Sequence, residues 1–293
     1  MSESKYDRGS QDIGNIIGLE HLNVTVPDQG LAALFYVTGL GLTRDPYIDF
    51  GSFNMWINVG SQQFHLPKQS PQILRGTIGV NVPSLKALEE RLTRLEKYFG
   101  DQFKNTLFDW QKDDKLIRIT CPWGNRFQCS EQNISGANSL GISWIEVNVR
   151  SGNSAGIARF YEEIVEAPSQ CAKGVCTVNI GRFQELRFRE SEATLADYDG
   201  HHIAIYLGNF SRPYKRLLER GLITIEPNAH EYRFQDICDP ESGEVLATIE
   251  HEVRSMYHPM FARNLVNRDA QQSFLNYQAG ADAHIGQNQS GRA

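Results

Sequence analysis

The stretch DGHHIAIYL (199–207) sets two histidines at the mouth of an apolar strand. Successive side chains in a strand point to opposite faces. Ile203, Ile205 and Leu207 then form the packing face, and His202, Ala204 and Tyr206 form the other, which leaves His201 as an expected solvent-side neighbour. The stretch LEHLNVTV (19–26) has the same pattern, with Leu22, Val24 and Val26 on one face and His21, Asn23 and Thr25 on the other. His65 lies in a third strand-like stretch, QQFHLP. A neutral imidazole is a good ligand for a first-row divalent metal, and it is equally at home as a hydrogen-bonded pocket residue. Which role applies depends on whether the fold brings these strands together. His230, His251, His258 and His284 have no comparable partner pattern.

The elements that must position these residues are repeated. LEHLNVTVPDQGLAALFYVTGLGL (19–42) and ISWIEVNVRSGNSAGIARFYEEIVEAP (142–168) each read as an alternating strand, a polar turn and an amphipathic helix carrying a Phe-Tyr pair. Phe35-Tyr36 and Phe160-Tyr161 are expected in the core. GTIGVNVPSLKALEERLTRL (76–95) and HHIAIYLGNFSRPYKRLLERGL (201–222) begin two further units, the last with Gly221 as a helix stop. Strand-like stretches follow each helix, so the chain reads as four units of strand, helix and about three strands. A Ser-, Asn- and Gly-rich boundary at 130–141 separates the halves.

Bulk composition excludes some classes. Of 293 residues 22% are charged, and the formal net charge is −6, with no basic run to suggest nucleic acid or an anionic membrane as partner. No apolar run approaches the roughly 18 residues of a membrane span, and no secretory pattern opens the chain, so a cytoplasmic protein is expected. The five cysteines are odd in number and scattered, which points to reduced thiols rather than a zinc–cysteine site.

This βαβββ arrangement, with HLNVTV and FYVTGLGL, QQFHLP, and the CPWG and DPESG turns before a last strand, resembles the vicinal oxygen chelate superfamily over residues 17–252. That group includes glyoxalase I, extradiol dioxygenases, fosfomycin-resistance enzymes and bleomycin-binding proteins. The resemblance implies an α+β fold in which four βαβββ units make two modules, 17–131 and 140–252, forming two open mixed-sheet barrels. A flexible N-terminus (1–16) and a partly disordered C-terminal extension (253–293) flank them, the latter beginning with a short helical segment.

The superfamily's inward ligand positions fall on His21 and His65 in the first unit, Thr77 and Gln128 in the second, Trp144 and Arg187 in the third, and His202 in the fourth. Halves closed on themselves would split the histidines two and one. Pairing unit one with unit four gathers all three, and that crossed arrangement is favoured. The family's fourth ligand, a glutamate, would fall on Ala247 or Leu246 depending on how the DPESG turn is counted. Glu250 is the nearest acid, about 13 Å beyond Leu246 at roughly 3.3 Å per residue, and reaches a metal only through a bulge.

The resemblance therefore implies one divalent metal ion (Fe, Mn, Zn or Ni) on His21, His65 and His202, with Glu250 as the doubtful fourth ligand. Tyr206 is the candidate proton donor, and Asn23, Trp144 and Arg187 are candidate substrate contacts. The implied function is a metal-dependent dioxygenase or glyoxalase-like lyase/isomerase acting on a small oxygen-rich, bidentate substrate, in a monomer or homodimer. The alternative is a metal-free small-molecule-binding protein.

Overall fold

The computed structural model describes residues 6–48, 50–131, 141–269, 272 and 275–278. Its strands are β1 Ile16–Asn23, β2 Thr43–Arg44, β3 Asn54–Val59, β4 Gln62–Pro67, β5 Gly76–Val82, β6 Asp109–Lys112, β7 Leu116–Thr120, β8 Arg126–Glu131, β9 Gly141–Arg150, β10 Ser169–Ala172, β11 Val175–Asn179, β12 Glu185–Ser191, β13 His202–Leu207, β14 Ile223–Asn228, β15 Glu231–Cys238 and β16 Val245–Ser255. They form two open eight-stranded mixed sheets. One runs β14-β15-β16-β13-β1-β4-β3-β2, the other β10-β11-β12-β9-β5-β8-β7-β6.

Unit one is thus joined to unit four, and unit two to unit three, which is the crossed pairing. At the centre of each sheet an antiparallel pair, β1 with β13 or β5 with β9, is flanked by parallel neighbours. The centre of the 130–141 boundary, and most of the tail expected to be disordered, lie outside the described residues.

The Phe-Tyr pairs link the two sheets. The chain turns helical at Gln29–Ala32 and continues as a wider π-helix over Ala33–Gly39; Ser154–Phe160 passes into Tyr161–Val165 in the same way. All four aromatic residues are fully buried. Tyr36 packs on Phe64 of β4 and on Phe127 of β8, so it touches both sheets. Tyr161 does the same, against His251 of β16 and Phe188 of β12. Such ring-on-ring packing supplies large apolar burial with geometric preference.

The expected helix after β16 does not form: among the described residues, 256–269 has turns but no helix. Pro259 lacks a backbone donor. The segment spends its hydrogen bonds on the sheet instead: Asn58 Nδ2 donates to the Val266 carbonyl, and Asn267 exchanges two bonds with Gly60.

The two tyrosines differ in one respect. The Tyr161 hydroxyl lies 2.7 Å from His251 Nε2, whereas the Tyr36 hydroxyl, facing Phe64, has no partner. Tyr161→Phe would strand a buried ring nitrogen and is expected to cost about 1–2 kcal/mol in urea unfolding. Tyr36→Phe removes an unpartnered buried hydroxyl and should stay within about 0.5 kcal/mol of the parent. Equal losses in the two variants would contradict this assignment.

Candidate metal centre

The register of four adjacent strands builds one polar face. β1 and β13 pair Leu22 with Ile203, and the two pairs either side are His21 with Ala204 and Asn23 with His202. A local two-fold axis through the central pair therefore relates His21 to His202 and Asn23 to Ala204. The outer parallel strands extend the same symmetry. On β4, Gln63 lies beside His21 and His65 beside Asn23; on β16, Glu250 lies beside His202 and Glu252 beside Ala204. His65 is thus matched by Glu252, and Gln63 by Glu250. The alternate residues Phe64 and His251 point into the core, against Tyr36 and Tyr161.

The three histidines are gathered at one point. A nitrogen of each of His21, His65 and His202 lies within 4.8 Å of the other two. Two ligands at tetrahedral positions, with metal–nitrogen bonds of 2.0–2.1 Å, stand about 3.4 Å apart, so a small inward movement would close the set. All three Nε2 atoms are buried and lack a hydrogen-bond partner. Glu252 Oε2 stands 3.4 Å from His202 Nε2 and 4.0 Å from His21 Nε2. Buried polar atoms are nearly always satisfied, and three unpartnered imidazole nitrogens gathered this closely could hold a metal ion.

The surroundings suit that use. Burial, then the neighbouring His21 and His202, pushes His65 down to about 2, and burial lowers His202 as well. Neutral imidazoles keep the lone pairs a metal requires. His21 Nδ1 is bonded to Glu20, the extra residue of a bulge in β1, and Arg254 Nη1 holds the same carboxylate oxygen at 2.8 Å. A carboxylate behind a histidine fixes its ring orientation and raises its basicity as a ligand. The His65 ring is stacked on Trp56 with centroids 3.9 Å apart.

Glu252 is gripped by Arg233 at 2.7 Å and by Arg254 on its other oxygen. Burial would raise its pKa, but His202, His21 and the two guanidiniums prevail and hold it well below the usual carboxylate range. Around the centre Glu20, Glu231, Glu250 and Glu252 face Arg233 and Arg254. Four carboxylates thus face two guanidiniums, with His258 3.8 Å from Glu231.

The other candidates fall in different places. Glu250 Oε1 stands 3.6 Å from His202 Nδ1, on the side of the ring away from the converging nitrogens, and accepts from Arg233 Nη1 at 2.8 Å. Asn23 lies between His65 and His202 in the register, with its Oδ1 buried and unpartnered. Tyr206 follows Ala204 on the same face, and burial, with Glu20 next in effect, raises its hydroxyl pKa, keeping it protonated at neutral pH.

Trp144 and Arg187 belong to the other sheet. There the positions matching the histidine set hold Thr77, Gln128, Trp144 and Arg187. The Arg187 guanidinium lies 4.6 Å over the Trp144 ring and is paired with Glu185. A Cβ on Gly79 would meet that indole at 2.1 Å, so the Trp144 ring lies across Gly79, beside a cavity of about 940 Å³ that Trp144 and Arg187 help to line.

His201, expected toward solvent, is fully buried: Asp199 bonds its Nδ1 at 2.6 Å and Tyr198 packs on its ring, because the loop before β13 folds back over it. Sequence reasoning missed Glu252. The signal was the match of Glu250-His251-Glu252 to Gln63-Phe64-His65, one core residue between two cup-facing ones.

Scanned against models of protein families and compared with curated sequences, the chain matches none. Its structure does have neighbours. Glyoxalase I from Zea mays superposes with a TM-score of 0.57 at 11% identity, covering 85% of this chain and 95% of that one. A protein described as a "putative dioxygenase" from Bacillus subtilis subsp. subtilis str. 168 gives 0.54 at 14% identity, covering 82% and 86%. With paired βαβββ units, crossed in sequence and open on one face, the chain has the fold of the vicinal oxygen chelate superfamily.

Proposed function

We propose that His21, His65, His202 and Glu252 hold one divalent transition-metal ion, and that the protein is a metal-dependent enzyme acting on a small oxygen-rich substrate. The observation that carries this reading is the convergence of three buried imidazoles whose Nε2 atoms have no partner, with Glu252 Oε2 3.4 Å from one of them and 4.0 Å from another. An ion there would take two adjacent substrate oxygens and stabilise the negative charge that develops on them. The chain's own residues would do the rest. Asn23 Oδ1, unpartnered between two ligands, would accept a hydrogen bond from a substrate hydroxyl. Tyr206, held protonated, would donate to a substrate oxygen. Glu252 has both oxygens engaged by arginines and would act as a charged ligand rather than as a base that moves a proton between carbons. A ring- or carbon-bond-cleaving dioxygenase needs no such base, whereas a lyase or isomerase must find one elsewhere. Oxygen uptake with a catechol, set against anaerobic turnover of an α-oxoaldehyde adduct, separates these two reactions.

Metal content is the primary test. Protein prepared without chelators is expected to carry about one iron, manganese, nickel or zinc per chain by mass spectrometry, and His202→Ala to carry almost none. Metal-free protein from every preparation would leave a small-molecule-binding role in its place.

The fourth ligand has its own test. Glu252→Gln should weaken metal affinity by roughly 100-fold, the loss of a charged ligand, and Glu250→Gln by about tenfold or less, the scale of an outer-shell partner. Competition with a coloured chelator measures both. A larger loss in the Glu250 variant would move the acid ligand to Glu250.

A further inference from the structure

Beyond β16 the chain crosses the face that carries the candidate metal centre. Phe261 packs on Tyr206 of β13 with ring centroids 5.0 Å apart. Arg263 Nη2 then reaches Asp45 Oδ2 at 2.8 Å and Gln63 Oε1 of β4 at 3.3 Å. Val266 and Asn267 bond to β3 and the turn after it, and Arg268 bonds to Thr43 of β2. Tyr206, Gln63 and Asn58 all belong to the cup side of the sheet, by their register with Ala204, His21 and Gln63 respectively. The segment therefore roofs the cup instead of packing behind it.

Under this roof lies a cavity of about 420 Å³, walled by Glu20, Tyr206, Phe261 and Arg263 and, from the loop of the second sheet, by Arg182 and Phe183. None of His21, His65, His202 and Glu252 lines it, but two of its residues border the centre: Glu20 is bonded to His21, and Tyr206 is the next cup-facing residue after Ala204. The cavity mixes aromatic walls with two cations, Arg182, which lies over Phe183, and Arg263. Arg263 uses one nitrogen on Asp45 and Gln63, while its Nε and Nη1 are buried with no acceptor. Arg263 lines the cavity, and a small shift of its side chain would turn these donors toward a carboxylate or phosphate oxygen, which accepts charge-assisted hydrogen bonds.

We propose that segment Met256–Arg268 forms the roof of the substrate cavity and that Arg263 receives an anionic group of the substrate, remote from the oxygens that chelate the metal. The inference rests on the metal-centre reading above. It narrows the substrate to a chelating, ring-sized molecule with a second, negatively charged end. It also gives the chain beyond the repeats a part in choosing that molecule.

The test compares two probes with the same chelating pair, catechol and 3,4-dihydroxybenzoate, which differ by one carboxylate. Each is titrated by calorimetry into zinc-loaded protein, where no redox chemistry intervenes. The wild type is expected to bind the carboxylate-bearing probe at least about tenfold more tightly, the scale of one charge-assisted hydrogen-bonded pair. Arg263→Gln should erase that preference and leave catechol affinity within about twofold.

Because Arg263→Gln leaves the buried Asp45 without its cation, the double variant Arg263→Gln with Asp45→Asn is measured beside it. The double variant removes both charges while keeping an oxygen for the Tyr47 and Ile48 amides. Zinc stoichiometry near one in each variant shows that the centre is intact. Equal affinity of the wild type for both probes, or a preference that survives in the variants, would overturn the role of Arg263 and leave the metal centre standing. A wild type that takes up no zinc would remove the centre itself, and the inference with it.

Discussion

The antiparallel pairing of β1 with β13 is the contact on which the rest depends. It joins residues 16–23 to residues 202–207, nearly two hundred positions apart. It also places His21 and His202 at two-fold-related positions on one face. A one-residue slip of either strand would turn every cup-facing side chain into the core. Leu22 and Ile203, both fully buried at the centre of the pairing, oppose that slip. Each sheet takes its strands from both halves of the sequence, so neither half holds a complete set of ligand positions. β4 and β16 then need only lie parallel to β1 and β13 to deliver His65 and Glu252.

This arrangement buries charge at a cost. Glu20, Glu231, Glu252 and Arg254 are all nearly removed from solvent. Ionised groups in such surroundings are tolerated only when paired and hydrogen-bonded. Arg233 and Arg254 thread between the carboxylates but supply only half the charge needed. The same residues hold Glu252 beside the histidines and Glu20 behind His21 in place, and carboxylates remain in excess around the centre. Ion binding to the folded state alone would couple occupancy to stability, which ties the chemistry of the cup to the pairing that creates it.

Much of this was legible in the sequence, for definite reasons. Period-two alternation located the strands and chose His202 over His201, because the packing face Ile203, Ile205, Leu207 is unbroken. The repeated Phe-Tyr helices marked the units, and those rings are indeed the core that bridges the sheets. The place of Glu252 beside the histidines was not legible by counting from the DPESG turn. β16 is eleven residues long, and its first five overhang β13, whose pairing begins only at Glu250 opposite His202. Irregularities in the β15–β16 register add to the offset. Distance from a turn cannot report depth when the strand extends past its partner; matching the core residue His251 to Phe64 can. The course of residues 256–268 was also hidden, since its bonds go to β2, β3 and β4, which a local pattern does not reveal.

The two sheets make the separation of fold from function concrete. They share an architecture down to the central antiparallel pair and its parallel flanks, yet equivalent positions hold His21, His65, His202 and Glu252 in one, and Thr77, Gln128, Trp144 and Arg187 in the other. The second sheet carries an indole and a guanidinium stacked on each other at these positions, and a glycine opposite the indole gives it room. Losing ligands in one cup leaves the backbone pairing of the other untouched, because the duplicated scaffold depends on Leu22, Ile203 and their counterparts Ile78 and Ile145, not on what the polar face carries. The polar faces are therefore free to differ, and among the described residues the histidine cluster lies on one of them.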